Sequence, residues 1–127
     1  MTLVKQQRLA RTVPLAQDLT DVASLPDVIE SIIARHGLPD GVVHLSYASL
    51  GAGKPVVELP AAVFRKTLDQ NLAPAFVLSR HLAERMKQRR SGSIVLFSSI
   101  YGIVSPDPRI YHDPMKPNSI DYGTSKA

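Results

Sequence analysis

The segment Ile94-Val95-Leu96-Phe97 restricts the folds open to this chain. This four-residue apolar run lies between Ser91-Gly92-Ser93 and Ser98-Ser99. It is too short for a helix and does not alternate, so one wet face does not account for it. Such a run reads as a strand covered on both faces, the usual condition of a strand in a parallel sheet. Parallel neighbours need crossover helices, so helices are expected on either side of it in sequence.

The rest of the chain supplies them. Pro60 begins a long helical pattern that runs to about Arg90, with Val63, Phe64, Leu68, Leu72, Phe76, Leu82 and Met86 expected on one face. Pro74 is expected to kink that helix or be absorbed within it. Before it, Gly41 to Ala48 reads as a strand, and Ser49 to Pro55 as a glycine-containing loop. An earlier helix opens at Ser24-Leu25-Pro26, carries Val28, Ile29, Ile32 and Ile33 at helical spacing, and closes at His36-Gly37. Residues 12–16 read as a short strand in which Pro14 is tolerated only at an edge or a strand start; residues 3–11 read as the end of a helix. Residues 103–120 hold four of the ten prolines and read as a long ordered loop. A final helix starts near Tyr122. The order strand, helix, strand, helix, strand predicts one α/β domain over residues 1–127, a parallel sheet with covering helices.

Composition removes several classes of function. With no cysteine there is no disulfide, thiolate metal site or cysteine nucleophile. The four histidines show no paired metal-ligand spacing, so no metal is expected. A net charge of +4 is mildly basic. Arg80, Arg85, Lys87, Arg89 and Arg90 crowd a helix C-terminus, where cations complement the dipole, so no nucleic-acid partner is expected. No apolar run approaches the ~20 residues that span a bilayer, so no membrane association is expected. Lys5, Arg8 and Arg11 precede the first acid, Asp18, as in some transit peptides, but a short helix feeding a strand is the preferred reading, with a cytoplasmic location. Gly51-Ala52-Gly53-Lys54 imitates a phosphate loop, yet Pro55 stands where Ser or Thr is needed and Ala48 where the first glycine belongs.

The chemistry-bearing signal is Tyr122-Gly123-Thr124-Ser125-Lys126. A tyrosine and a lysine four apart on a helix share one face. A nearby ammonium favours the phenolate, so a tyrosine placed this way can exchange a proton with an alcohol or ketone near neutrality. Upstream, the apolar strand ends in Ser98-Ser99, and Asn71, a poor helix-interior residue, sits mid-helix near Pro74.

Taken in order, Asp18, Asn71, Ser99, Tyr122 and Lys126 make the chain resemble the short-chain dehydrogenase/reductase family. The resemblance implies hydride transfer between NAD or NADP and an alcohol or ketone, with a small-molecule substrate and a homo-oligomeric state. It implies that Tyr122 is the acid/base, that Lys126 tunes it and meets the nicotinamide ribose, that Ser99 binds the substrate oxygen, and that Asn71 supports a proton-relay water. Asp18-Leu19 is similar to the pair that meets the adenine, and Ala48 to a cofactor contact. Ser46-Tyr47-Ala48-Ser49 replaces the family's Asn-Asn-Ala-Gly, and only Ala48 is retained. Ser99 and Tyr122 lie 23 positions apart, longer than the family's common spacing. That insert, with Tyr101-Gly102, resembles members acting on sugars or sugar nucleotides. The glycine-rich pyrophosphate loop has no counterpart in this sequence, nor do the first strand–helix–strand unit and the C-terminal strands. The resemblance implies part of a doubly wound, Rossmann-like parallel sheet with helices on both faces, and in its strand order 3-2-1-4-5-6 the three strands match only the third, fourth and fifth. The chain is therefore expected to be an internal piece with weak or no dinucleotide binding of its own. Two rival readings are a non-catalytic Rossmann-like protein and a nucleotide-sugar epimerase or dehydratase.

Overall fold

The computed structural model describes residues 12–48, 50–51 and 53–127. The helix end expected over residues 3–11 lies outside them. The described elements are α1 (Leu25–His36), β1 (Gly41–His44), α2 (Ala61–Arg89), β2 (Ser93–Leu96) and α3 (Ile120–Lys126). β1 and β2 pair in parallel, with Gly41 opposite Ser93, Val42 opposite Ile94, Val43 opposite Val95 and His44 opposite Leu96. α2 makes the crossover between them, α1 and α3 both pack on α2, and α2 packs on β2.

α1 forms where the spacing places it. Pro26 occupies its first turn, and Leu25 and Ile29 are buried. Gly37 ends it at φ 82°, a left-handed-side value that glycine tolerates, and its amide donates to the Ile33 carbonyl at 2.8 Å. α2 runs unbroken through Pro74, which is buried. Its buried stripe is Thr67, Asn71, Pro74, Leu82 and Met86. Leu72 and Phe76 lie outside this stripe and are 47% and 63% exposed, so the apolar positions do not form the one continuous face expected. The stripe follows helical geometry, and two of its members are polar because polar partners await them.

Residues 12–16 form no strand among the described residues, and Val13 and Leu15 are exposed; they find no ladder partner there. The strand expected over Gly41 to Ala48 is only Gly41–His44. Beyond His44 the backbone is drawn off the ladder by Asn71, which bonds Ala48 instead. The apolar run is likewise not fully buried. Val43 and Val95, partners in register, are 57% and 44% exposed, because no described element covers their face of the sheet. Arg89 fastens the strand entrances, donating to the Leu38, Pro39 and Ser91 carbonyls at 2.9–3.2 Å. Residues 103–119 are loop as expected, except for one turn of 3-10 helix, Pro108–Ile110, while Ile120, expected in the loop, already begins α3.

Candidate functional site at the carboxyl ends of the strands

The two parallel strands release their chains at the same end. From β1 come Tyr47 and Ala48, and from β2 come Phe97, Ser98 and Ser99. α3 is laid across this end by contacts at each of its ends. The Ser98 hydroxyl donates to the Lys126 carbonyl, and the Lys126 ammonium donates to the Phe97 carbonyl at 3.1 Å. Gly102 allows the close approach, because a Cβ there would lie 2.3 Å from the Lys126 carbonyl oxygen.

Asn71 is buried, and its amide is heavily used. Its Oδ1 accepts from the Ala48 amide at 2.8 Å, while its Nδ2 donates to the Ala48 carbonyl at 2.9 Å and the Thr67 carbonyl at 2.7 Å. An amide has two N–H donors and two acceptor lone pairs. Both donors are therefore spent, and one lone pair on Oδ1 remains.

Ser99 Oγ accepts the Tyr101 amide at 3.2 Å, and no described residue accepts its own proton. Tyr122 meets the Tyr47 ring edge-on, with centroids 4.8 Å apart and planes at 88°, and the Tyr101 ring at 6.4 Å. Tyr101 and Tyr111 hydrogen-bond through their hydroxyls, and this bond, aided by burial, pushes the Tyr111 phenol above its usual range. The Lys126 ammonium lies 5.2 Å from the centroid of the Tyr47 ring. His44 lies near it, and burial, followed by the Lys126 charge, holds its imidazole below the usual pKa. His44, Ser46, Asn71, Ser98 and Lys126 line one recess of about 200 Å³.

Asn71, Ser98, Ser99, Tyr122, Lys126 and Ala48 thus gather at one end of the sheet. Among the described residues, neither Asp18 nor Leu19 hydrogen-bonds or ion-pairs with this group. Asp18 is exposed and caps its own turn, accepting from the Thr20 amide and hydroxyl at 2.8 Å, which lowers its pKa.

Sequence reasoning passed over Asp121. Its side chain is fully buried, and its carboxylate accepts from Thr67 Oγ1 at 2.7 Å, the Gly51 amide at 3.1 Å and the Ser119 hydroxyl. It ties the first turn of α3 to α2 and to the loop after β1. Gly51 is required there, since a Cβ would fall 2.3 Å from Asp121 Oδ1. An acid in a helix's first turn is ordinary in any sequence, so nothing marked this one.

A parallel α/β layer with its polar residues gathered at the strands' carboxyl ends defines the doubly wound, nucleotide-binding class of proteins. Residues 2–127 match the family model described as short chain dehydrogenase. The chain belongs to the short-chain dehydrogenase family. It is 36% identical over 89 residues to a tropinone reductase homolog of Arabidopsis thaliana, covering 68% of this chain and 34% of that protein. It is 29% identical over 85 residues to human dehydrogenase/reductase SDR family member 7C, covering 67% of this chain and 27% of that one. The chain therefore spans about a third of the curated relatives it matches. Among solved structures it resembles an NAD+-bound xylitol dehydrogenase, with a TM-score of 0.73 and 26% identity over 88% of this chain and 39% of that one. It also resembles an NAD-bound 3-oxoacyl-[acyl-carrier protein] reductase of Brucella melitensis, with a TM-score of 0.70 and 26% identity over 90% of this chain and 40% of that one.

Proposed function

We propose that the protein is an NAD(P)-dependent oxidoreductase that interconverts a small-molecule alcohol and its ketone or aldehyde, with Tyr122, Lys126, Ser99 and Asn71 as its working residues. The observation that carries this reading is the gathering of Ser99, Tyr122 and Lys126 at the carboxyl ends of two parallel strands, where such sheets take their ligands. Family membership and the dehydrogenase and reductase relatives support the reaction class.

The residues present fit the nicotinamide-riboside half of a dinucleotide. The ammonium of Lys126 has three donors and spends one on the Phe97 carbonyl, leaving two for ribose hydroxyls. When bound, the nicotinamide supplies or takes the hydride. The Tyr122 hydroxyl gives a proton to the substrate oxygen in reduction and takes it back in oxidation. The Ser99 proton is available to hydrogen-bond that oxygen, because no described residue accepts it. Asn71 holds the end of β1 against α2, and its remaining lone pair can take one hydrogen bond from a relay water. Asp18, Leu19 and Ala48 complete the proposed cofactor contacts at the adenine side and beside the nicotinamide. The sequence has no glycine-rich diphosphate loop, so the 127-residue chain by itself is expected to bind NAD(H) weakly or not at all.

The substrate proposed is a sugar or sugar nucleotide, supported by the long Ser99–Tyr122 segment and its Tyr101–Tyr111 pair. The protein is proposed to be cytoplasmic and homo-oligomeric. Among the described residues no helix is long and apolar enough to cross a membrane.

The test is to offer the whole protein NADH and NADPH with a panel of ketones, aldehydes and keto-sugars, and to follow oxidation of the nicotinamide. Stoichiometric oxidation with alcohol formation is expected. A nucleotide sugar turned over with no net change in nicotinamide would favour the epimerase or dehydratase reading. Tight cofactor binding with no turnover on any carbonyl would favour a non-catalytic protein.

A further inference from the structure

Tyr47 occupies the place where the resemblance puts an asparagine, and its ring touches two members of the proposed site, Tyr122 and Lys126. The backbone beyond it is fixed, because Asn71 grips Ala48 by both its amide and its carbonyl. The Tyr47 and Tyr122 rings pack edge-to-face, with centroids 4.8 Å apart and planes at 88°. The Lys126 ammonium sits over the same ring at 5.2 Å. We infer that Tyr47 is a positioning residue, a half-buried aromatic platform that sets the Tyr122 ring and the Lys126 ammonium relative to one another. This rests on the oxidoreductase reading.

Both contacts restrict motion. An edge-to-face aromatic pair prefers one relative orientation, so the Tyr47 ring restricts the swing of the Tyr122 phenol. A lysine ammonium on a four-carbon stem has many rotamers and loses that freedom when it must act from one place. In this structure two fixed groups hold it, the Phe97 carbonyl and the face of Tyr47, whose quadrupole attracts a cation. An asparagine at position 47 would offer neither an aromatic edge contact nor a cation-binding face. Both contacts are made by the ring, which sets the choice of variants.

The experiment compares Tyr47→Phe, which keeps the ring, with Tyr47→Leu, which fills space without one; Tyr47→Met substitutes if the leucine variant does not fold. Two readouts are taken: the NMR shifts of the Lys126 ε-methylene and Tyr122 ring protons, and kcat and KM in the whole protein, with Tyr122→Phe as reference. In the wild type and Tyr47→Phe the Lys126 methylene protons are expected to be displaced upfield by the ring, with kcat alike within about 2-fold. In the ringless variant the displacement should vanish and kcat fall on the order of 10-fold, the scale of one aromatic contact, with substrate KM nearly unchanged. Unmoved Lys126 and Tyr122 signals in the ringless variant overturn the inference. So does an unchanged kcat in that variant while Tyr122→Phe is inactive. Full turnover by Tyr122→Phe would instead sink the catalytic reading, and the Lys126 shifts would still decide whether Tyr47 holds the ammonium.

Discussion

Asp121 stands one position before Tyr122, and its carboxylate draws donors from three separate parts of the chain. Burial works to raise its pKa, but hydrogen bonds from Ser119, Thr67, the Gly51 amide and its own amide outweigh burial and hold it below the ordinary aspartate value. A depressed folded-state pKa contributes stability that is present above the unfolded value, about 3.9, and is lost as pH falls through the folded one. Urea unfolding between neutral pH and about pH 3 should therefore show a steeper acid loss in the wild type than in Asp121→Asn; equal slopes would mean the buried carboxylate is not linked to folding. At Ser99 the proposed role is a single hydrogen bond to the reacting oxygen. Ser99→Ala should lower kcat by about 10²–10³, as loss of one oxyanion donor does, and a change below 3-fold would remove Ser99 from the site. The placement of Tyr122 and Lys126 on one helix was legible from their spacing. Asp121 was not, because its partners lie 54 and 70 positions away and a first-turn acid has an ordinary explanation.

At the scale of elements, α2 carries the greatest burden, since it packs on α1, α3 and β2. Its stripe was legible in period but not in content. Hydrophobic spacing marked Leu82 and Met86 correctly and Leu72 and Phe76 wrongly, because what fills the middle of the stripe is Thr67 and Asn71, each buried by hydrogen bonds rather than by apolarity. Asn71→Ala removes three hydrogen bonds and leaves the Ala48 amide and carbonyl without this partner. It should cost about 2–3 kcal/mol by chemical denaturation, at roughly 1 kcal/mol per bond. A cost under about 0.5 kcal/mol would show that water replaces the side chain at no loss. The strands were legible in place but not in length. Pairing needs two partners in register, and only four residues on each side find one. Residues 12–16 have the composition of a strand, yet among the described residues nothing lies beside them to make one.

For the whole molecule, the α/β alternation gave the class correctly, and the match over residues 2–127 places the chain in its family. Alternation cannot say which faces of the sheet are covered, and Val43 and Val95 lie in register on a face that no described element covers. Leu72 and Phe76 add exposed apolar surface on α2. Apolar area of this kind is stabilised by being covered, at about 25 cal/mol per Å², so the protein should self-associate. Light scattering over a range of concentrations is expected to give a mass above the 13.9 kDa monomer for this chain; a monomer throughout would contradict it. Whether Tyr122 moves the proton in the proposed nicotinamide-dependent reaction is decided by one comparison: kcat and nicotinamide Kd for the whole protein and its Tyr122→Phe variant. Because the phenol acts in the transition state and makes little ground-state contact with the dinucleotide, turnover should be abolished with Kd nearly unchanged. Wild-type kcat in Tyr122→Phe would contradict the account.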